Sequence, residues 1–347
     1  MAGELLQIRE LTEETSADWD RYVATSPRAT FFHRAGWKRV IERSFGHKTH
    51  YLYGERDGSI EGVLPLVHMR HPIFGHALIS IAFGVYGGPI ASNQAAENAL
   101  DQAARSLAQK LDVDYLEYRE LELHERADFA TRSDLYVTFR KALKPGVEEN
   151  LLSIPRKQRA MVRKGMKLGL QSTIDVEPGR LHQVYAESVR NLGTPVFARR
   201  YFDELVREFK DECEILLVTH IGRPVAGVMS FYFRGEVLPY YGGGTHAARD
   251  LAANDFMYWE VMRRACERGC RGFDFGRSKV DTGSYHFKKN WGFEPAPLHH
   301  RYYLRHGDSV PDINPLNPKF RLFIQLWKRL PLAVANCVGP HIVKHIG

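Results

Sequence analysis

The sequence predicts two tandem α/β domains with mixed sheets, followed by a C-terminal helical tail. The chain has 347 residues, too many for one ordinary domain and enough for two. Apolar residues make up 44% of the chain, which is sufficient to form two buried cores. One order of elements occurs twice: helix, strand, turn, strand, a strand ending in glycines, helix, strand.

This duplication appears when each residue is set against the residue 165 positions later. The matched pairs are Phe32 with Phe197, Trp37 with Phe202, Val40 with Leu205, Ile41 with Val206, Leu52 with Leu217, Gly62 with Gly227, and Val63 with Val228. The first half carries an insertion around 68–76, after which the offset becomes 155 and Gly87-Gly88 matches Gly242-Gly243.

In the first half, apolar residues alternate along the predicted strands and recur at helical spacing in Ala95–Leu111. We expect helices at 37–44 and Ala95–Leu111, and strands at 49–54, 60–69, Ile79–Tyr86, Val113–Tyr118 and Val137–Phe139.

In the second half, the same patterns return. We expect helices at Leu181–Asn191, Arg200–Phe209 and Asp255–Arg268, and strands at Glu214–His220, Val225–Phe233, Val237–Tyr241, Arg271–Phe275 and His299–Leu304. Lys144-Pro145-Gly146 interrupts the chain between the halves. The domains are therefore expected at 1–143 and 144–310, with a linker and tail at 311–347.

The tail begins with the proline-rich segment Pro311–Pro318 and continues as an amphipathic helix at Lys319–Arg329. Its apolar residues include Phe323, Leu326 and Trp327, and basic residues lie among them. A basic amphipathic helix can lie on an anionic membrane surface. The alternative is a brace that packs across the two domains.

Bulk properties narrow the function classes. The net charge of +7 favours anionic partners such as nucleotide, tRNA, acidic glycan or anionic lipid. The four cysteines form no Cys-x-x-Cys pair, and their sparse use fits a reducing cytoplasm. We predict no signal peptide and no membrane-spanning helix, because the sequence has no basic head before an apolar run and no uncharged apolar run of about 18 residues. We also predict no metal site, because the histidine clusters lack carboxylate or cysteine companions at ligand spacing.

The most informative stretch is Arg271–Pro295, which reads RGFDFGRSKVDTGSYHFKKNWGFEP. It begins as a strand with alternating Phe273 and Phe275. Many different polar groups then follow at 276–293, beside glycines that permit sharp turns. We expect a functional loop at 276–293, because binding residues concentrate on such loops at strand ends.

The motifs DFGRS and GSYHFKKNWGFEP resemble the closing motif of the FemAB-like family, most specifically in Phe-Lys-Lys and Trp-Gly-Phe. The similarity extends over roughly 5–305 and is greatest to the branch encoded beside exosortase (PEP-CTERM) and exopolysaccharide genes. It implies a tandem GNAT-like (acetyltransferase-type) fold, and transfer of an aminoacyl or peptidyl group to an amine, as in peptidoglycan-like synthesis.

The resemblance implies roles for residues of the predicted loop. Lys288, at the family's Phe-Lys position, would stabilise the oxyanion of acyl transfer or bind a phosphate of the donor. Phe287 would form a wall of the pocket, and Arg277 and Ser278 would contact substrate. Tyr285 and Tyr241 could donate or relay protons.

A second basic stretch, Ser153–Gly169, reads as a helix with arginines on one face. Its basic residues resemble the family's substrate-phosphate region, and guanidinium groups bind oxyanions in a bidentate manner. We expect Arg156, Lys157, Arg159 and Arg163 to bind substrate. The alternative is an ordinary solvated helix.

Two motifs of the first half resemble those that border the family's acceptor site. Trp37 follows His33-Arg34, where members usually have polar residues of the Gln-Ser type, so a different acceptor is expected. Trp37 also fits a core position. Tyr86 precedes Gly87-Gly88-Pro89, which resembles the Gly-Pro motif of the same cleft but also reads as a simple turn.

The sequence therefore predicts a cytoplasmic N-acyltransferase without a bound cofactor. Residues 245–254 lack the glycine pattern of an acetyl-CoA loop, which favours a different acyl donor. The resemblance to the FemAB-like family implies that this co-substrate is an aminoacyl-tRNA. An acyl-CoA- or acyl-carrier-protein-dependent sugar N-acyltransferase is the alternative. The expected acceptor is a nucleotide- or polyprenyl-diphosphate-linked sugar, with a peripheral contact at the inner membrane as one reading of the tail. A non-catalytic RNA- or polyanion-binding protein is the alternative of another class.

Overall fold

The computed structural model describes residues 5–71, 75–124, 128–306, 310 and 318–346, with only the backbone described at 318–321. The chain divides into two compact units. The first unit contains the described residues of 1–135, 297–312 and 345–347, and the second those of 136–296 and 313–344.

The first unit is a sheet with helices packed on it. Its elements up to residue 135 are β1 (Gln7–Glu10), α1 (Ser16–Thr25), α2 (Gly36–Phe45), β2 (Lys48–Arg56), β3 (Ser59–His71), β4 (Gly75–Ser80), β5 (Ile90–Ala91), α3 (Gln94–Lys110), β6 (Tyr115–Glu120) and β7 (Ala130–Arg132). The side chain of Asn93 caps α3 by accepting from the Ala96 amide at 2.9 Å. Leu100 and Ala104 of this helix are buried against Leu64 and Leu116 of the sheet.

The second unit repeats this plan. Its elements are β8 (Tyr136–Ala142), α4 (Val147–Ser153), α5 (Arg156–Lys167), β9 (Gln171–Asp175), α6 (Gly179–Leu192), α7 (Arg199–Phe209), β10 (Cys213–His220), β11 (Arg223–Phe233), β12 (Glu236–Gly244), α8 (Ala253–Glu267), β13 (Gly272–Lys279), α9 (Gly283–Asn290), β14 (Pro295–Pro297), α10 (Pro318–Arg329) and α11 (Leu332–Val343). Helix α8 buries Phe256 and Trp259 in the core of this unit.

The two sheets exchange their late strands. The last strand, β15 (His299–Leu304), pairs with β6 and β7, giving the first sheet the order β1-β2-β3-β4-β6-β15-β7 with β5 beside β3. Strand β8 pairs with β13, giving the second sheet the order β14-β8-β13-β12-β11-β10-β9. Each sheet therefore contains one strand from the other half of the sequence.

This exchange changes the expected boundaries. The units divide at Leu135–Tyr136 rather than at residue 143, and the strand at His299–Leu304 belongs to the first sheet rather than to the domain expected at 144–310. Alternation of apolar residues identifies a strand but does not identify its partner, which depends on long-range pairing.

Two local predictions are wrong. The strand expected at Ile79–Tyr86 ends at Ser80, because Ile81 and Phe83 take positive φ angles of 48° and 67° that turn the chain. The loop expected at 276–293 is partly regular: β13 continues to Lys279, and Gly283–Asn290 is helical. The side chain of Thr282 caps this helix by accepting from the Tyr285 amide.

The tail is helical, as predicted, and its helices α10 and α11 both contact α6 of the second unit. His345, which follows α11, belongs to the first unit, where its ring lies 4.2 Å from that of His71. The brace across the two domains stays a prediction. The linker at 311–317 and the insertion residues 72–74 lie outside the described residues.

Candidate functional site

The centre of the candidate site is a pair of parallel strands that separate. Strands β12 and β13 pair only through Glu236 with Gly272 and Val237 with Phe273. Each strand then has a bulge. Tyr240 is the additional residue on β12, since Met229 pairs with Tyr241 and Ser230 with Pro239. Beyond these two pairs, the edges of both strands face the gap between them.

The bulge on β13 depends on a glycine. Phe275 and Gly276 stand opposite Phe139 alone, because Asp274 pairs with Arg140 and Arg277 with Thr138. Gly276 has a φ of 65°, which L side chains rarely adopt, and its amide donates to Asp274 Oδ1 at 2.7 Å. The bulge turns successive carbonyl groups of β13 towards α9.

Lys288 of α9 receives these carbonyls. Its ammonium donates to the carbonyl oxygens of Phe275 at 2.7 Å, Gly276 at 3.1 Å and Arg277 at 3.1 Å. Burial lowers the pKa of Lys288 to about 7, while the nearby Asp274 carboxylate acts in the opposite direction. Three carbonyl acceptors favour the protonated amine, because each accepts one ammonium hydrogen.

These contacts change the role expected for Lys288. All three of its ammonium hydrogens are already bonded to backbone oxygens, so none is left for direct donation to an oxyanion in this conformation. Lys288 holds the bulge of β13 in place and supplies a buried positive charge beside it. It is a positioning residue, and its charge can still lower the energy of a nearby oxyanion.

Helix α9 is fixed on the start of α8. The indole nitrogen of Trp291 donates to Asp255 Oδ1 at 3.0 Å, and burial raises the pKa of this carboxyl. Phe287 packs against the rings of Tyr258 and Trp291 at centroid distances of 5.5 and 6.0 Å. Phe287 therefore packs between α8 and α9, and its predicted role as a wall of the pocket stays a prediction.

Tyr258 of α8 is a functional candidate that the sequence did not indicate. Its ring lies 4.9 Å from that of Phe275, and its hydroxyl lies 3.3 Å from the position of a Cβ built on Gly242 of β12. Burial raises its pKa to about 12, so the phenol is protonated at neutral pH. In the sequence, Tyr258 reads as one more core residue of an apolar helix, and only its distance from β12 distinguishes it.

Three other predicted residues lie around the β13 bulge. The ring of Tyr285 packs on Phe139 at 5.5 Å, and the Arg277 guanidinium lies 4.7 Å from the centre of the Tyr136 ring. The Ser278 hydroxyl is buried and makes no hydrogen bond to any described residue. The structure thus brings Arg277, Ser278 and Tyr285 into the neighbourhood of Lys288.

Tyr241 lies elsewhere. Its hydroxyl is 2.7 Å from that of Tyr201, and its ring packs on Phe202 beneath α6 and α7. Burial raises its pKa well above the usual value of a tyrosine. Within the described part of the chain, Tyr241 and Tyr285 share no hydrogen-bond partner, so the two predicted proton donors are not brought together.

The basic helix α5 forms a second candidate surface. Val162 is buried, and Gly165 lets the helix approach Phe256 of α8 closely, since a Cβ at Gly165 would lie 2.9 Å from Cβ of Phe256. The opposite side borders an open groove of about 560 Å³. The groove is lined by Arg156, Arg159, Ala160, Arg163, Lys164, Lys167 and Leu168.

This α5 groove is strongly cationic. Among the described residues, its arginines and lysines make no ion pair, and Arg159 donates to the Leu152 carbonyl at 2.9 Å. Three of the four predicted residues line it, whereas Lys157 is on the helix but outside the groove. Pro155, which precedes α5, lies 3.2 Å from a Cβ built on Gly292 after α9, so the start of α5 adjoins the helix that carries Lys288.

The three residues predicted in the first half have packing roles. His33 is buried, its Nε2 lies 3.1 Å from the Gly88 carbonyl oxygen, and its Nδ1 lies 3.0 Å from Thr30 Oγ1. Burial lowers its pKa to about 4. Trp37 is fully buried, and Tyr86 packs on Phe32 at 5.9 Å. None of the three lines an exposed surface. They were expected to border the acceptor site, whereas the structure places them in the packed interior of the first unit.

Gly87 and Gly88 are likewise explained by internal packing. A Cβ on Gly87 would lie 2.0 Å from Cγ2 of Ile81, and one on Gly88 would lie 2.3 Å from Cγ of Glu120. The backbone at these two glycines therefore lies close to other parts of the protein itself.

Within the described residues, no three His, Cys, Asp or Glu side chains are grouped closely enough to hold a metal ion. No helix in this part of the chain combines the length and the hydrophobicity needed to cross a membrane.

The second unit matches a family model. Residues 156–289 match the acetyltransferase (GNAT) domain family, over a range that contains α5, the diverging strands and Lys288. No curated protein sequence matches the chain.

Solved structures share the fold over most of the chain. A crystal structure of FemX is 15% identical, covers 93% of this chain and 100% of its own, and has a TM-score of 0.70. A tandem GNAT protein from the clavulanic acid biosynthesis pathway is 15% identical, covers 88% of this chain and 100% of its own, with a TM-score of 0.54. The C-terminal domain of a putative lysylphosphatidylglycerol synthetase from Agrobacterium fabrum is 12% identical, covers 84% and 92%, and has a TM-score of 0.57.

The predicted fold is therefore confirmed: a mixed α/β protein with two tandem GNAT-like sheets. The family match also supports the general activity class, an acyltransferase.

Proposed function

We propose that this protein is an N-acyltransferase that joins an activated acyl or aminoacyl group to an amine of an anionic, phosphate-linked acceptor. The observation that carries this proposal is the diverging strand pair β12–β13, inside the range that matches the GNAT family. Backbone edges, the Tyr258 phenol and the buried charge of Lys288 meet there.

The proposed reaction needs few groups from the protein. A neutral amine of the acceptor attacks the carbonyl carbon of the donor, and the carbonyl oxygen becomes negative. The intermediate collapses as the C–N bond remains and the C–O bond of an ester, or the C–S bond of a thioester, breaks. The amine loses a proton and the leaving group gains one. Tyr258 or Tyr285 donates its phenolic proton to the leaving group, and the resulting phenolate takes up the proton that the amine loses. Alignment of the reactants supplies much of the acceleration.

Aminoacyl-tRNA is the donor we propose. The segment before α8 contains no glycine, Ala252 has a φ of 55°, and the Asp255 carboxyl occupies the first turn of α8. A carboxylate there disfavours a pyrophosphate at the helix start. Acyl-CoA or an acyl-carrier protein remains the alternative, since the matched family is named for acetyl transfer.

The acceptor we propose binds through phosphate at the α5 groove. Several cations without acidic partners border one groove, and arginine is well suited to diphosphates. From the resemblance of the sequence to FemAB-like proteins of exosortase-linked gene clusters, we propose a nucleotide- or polyprenyl-diphosphate-linked sugar of envelope or exopolysaccharide synthesis.

The test is a donor and acceptor assay on the purified protein. Binding and turnover are measured with charged tRNA, uncharged tRNA, acetyl-CoA and longer acyl-CoAs, using an amino-sugar nucleotide as acceptor. We expect selective binding of charged tRNA. Arg159→Gln should raise the acceptor KM about tenfold with little change in kcat, since it removes one charged contact.

Lys157→Gln is the matched control, because it removes a charge from the same helix outside the groove. An equal rise in KM for both variants would mean that general charge, not the groove, attracts the acceptor. Selective use of acyl-CoA would mean that acyl-CoA, not aminoacyl-tRNA, is the donor. If no donor supported acyl transfer, the proposal would be overturned.

A non-catalytic polyanion-binding protein is the second candidate, favoured by the cationic α5 groove. It predicts that Arg159→Gln abolishes the cellular role while Lys288→Met leaves it intact. The enzyme proposal predicts weaker acyl transfer in both variants, through a raised acceptor KM in Arg159→Gln and a lower kcat/KM in Lys288→Met.

A further inference from the structure

The C-terminal helices α10 and α11 have one side turned to α6. Ile324 lies against Gly193 at the end of α6, where a built Cβ would be 2.5 Å from Ile324 Cγ2, and Trp327 is buried. On α11, Ala335 and Gly339 are buried, and a Cβ on Gly339 would lie 3.0 Å from the Val196 amide nitrogen. These contacts account for the inward apolar residues of both helices.

The other side of each helix is also apolar, and it is exposed. On α10, Leu322 is 65% exposed and Leu326 is 57% exposed, one helical turn apart. On α11, Val334 and Val338 repeat this spacing and are also exposed. Packing on α6 does not explain these outward residues, which we call the outer tail face.

The charge of the tail has one sign. Residues 313–347 contain five lysines and arginines and no aspartate or glutamate. Lys328 and Arg329 are exposed at the end of α10, beside Leu326. Apolar side chains beside exposed cations such as Lys328 and Arg329 match an anionic lipid surface, which offers acyl chains and phosphate together.

We propose that the outer tail face binds the surface of an anionic lipid bilayer, with α10 and α11 lying in the interface. Each helix has 12 residues, about 18 Å, which is roughly half of what a bilayer crossing requires. A second copy of the chain fits this face less well, because a symmetric contact would bring two sets of like charges together. This proposal stands on the tail alone and does not depend on the proposed reaction.

The experiment is flotation of the full-length protein with vesicles. Vesicles of phosphatidylcholine alone are compared with vesicles of equal parts phosphatidylcholine and phosphatidylglycerol. We expect flotation with the anionic vesicles and weakening by salt, since charge contributes to binding. The double variant Leu322→Gln with Leu326→Gln should reduce the bound fraction at least about tenfold.

The matched control changes two apolar residues of the same unit that lie outside the tail and are more exposed than Leu322 and Leu326. Val176 and Ile221 are 82% and 85% exposed, and Val176→Gln with Ile221→Gln should float like the wild type. Circular dichroism establishes that both double variants are folded, as expected for changes at exposed positions.

A fluorophore on Cys337 gives a second measurement. Cys337 is exposed on α11 next to Val338, whereas the other three cysteines are partly buried. Transfer of the probe into lipid should shift its emission to the blue with the anionic vesicles. The proposal fails if the wild type does not float with anionic vesicles, or if the tail variant floats as well as the control. It also fails if the wild type is a dimer that the tail variant converts to monomer without lipid binding.

Discussion

The two sheets are built alike, but their parallel strand pairs end differently. In the first unit, β4 and β6 pair through three positions, and the chain then turns back so that the amides of Gly87 and Gly88 donate to the Arg119 carbonyl. In the second unit, β12 and β13 separate after two pairs, and side chains rather than backbone bridge the gap. Tyr240 of β12, for example, lies 3.9 Å from the Cβ position of Gly276.

We call the ends of these parallel strand pairs the first junction (β4 and β6) and the second junction (β12 and β13). The polar groups at the two junctions also differ. The first junction holds Glu117, Arg119 and His300 in buried ion pairs, and Arg301 paired with Glu120. The second holds the lysine of α9 on three carbonyls, beside phenols that have hydroxyl groups to donate. Two copies of one fold can thus diverge until one junction serves stability and the other can serve chemistry.

The largest expected effect tests the structural role of the first junction. Glu117 Oε1 lies 2.9 Å from both Arg119 Nε and His300 Nδ1. Burial alone would raise the pKa of Glu117, but Arg119 and His300 lower it to about 2. Glu117→Gln leaves the Arg119 guanidinium buried without its counter-charge, so the free energy of unfolding in urea should fall by about 3–5 kcal/mol.

Glu122→Gln is the control in the same unit, because its carboxylate is exposed and lies 3.8 Å from Arg28. It should cost less than about 1 kcal/mol. If Glu117→Gln hardly changed stability but abolished acyl transfer in the folded protein, the first junction would take part in the reaction and the comparison would break.

The next effect concerns the second junction. Lys288→Met removes three charge-assisted hydrogen bonds that hold the β13 bulge. We expect kcat/KM for acyl transfer to fall about 100-fold, equivalent to about 2.7 kcal/mol. In the wild type, activity should also decline as pH rises through about 7, where Lys288 loses its proton, and the residual activity of Lys288→Met should lack this decline.

Lys289→Met controls for charge on α9, because Lys289 is exposed beside Lys288. Equal losses in the two variants, or an unchanged pH profile in Lys288→Met, would remove Lys288 from the chemistry and leave it a purely structural residue.

Much of the fold follows from the sequence, because repeated apolar periodicity reports which residues face a core. Helices α2, α3, α6, α7 and α8 and most strands were predicted on this basis, whereas the short helices α1 and α4 were not. The exchange of β8 and β15 was not, because periodicity shows that a strand has a buried face and does not show which strand it joins. Helix α9 was missed because its residues are mostly polar and its cap, Thr282, lies within a run of turn-forming residues.

The candidate site was predictable only in part. The basic residues of α5 stood out because cations at helical spacing are visible in a sequence, and three of the four line the groove. Burial cannot be read at a single position, so the family resemblance placed His33 and Tyr86 beside the acceptor, whereas both pack inside the first unit. Tyr258 was missed for the converse reason, since a tyrosine among apolar residues reads as core.

The smallest expected effect is a change in how the free energy of unfolding depends on pH when His33 is replaced. Burial holds the pKa of His33 at about 4, below the ordinary histidine value, so the unfolded chain takes up the proton first. The contribution of His33 to stability is therefore present at neutral pH and is lost as pH falls from about 6.5 towards 4. Between about pH 7 and pH 5.5, His33→Gln should flatten the fall in unfolding free energy by about 1 kcal/mol.

Lys288 should act in a different pH window, because its folded pKa of about 7 also lies below its ordinary value of 10.5. Between these values the unfolded chain binds the extra proton, so stability rises with pH, and Lys288→Met should remove that rise. Urea denaturation across both windows measures the two slopes. If His33→Gln kept the wild-type acid slope, His33 would not be a neutral packing residue, and its earlier assignment to a substrate surface would have to be restored.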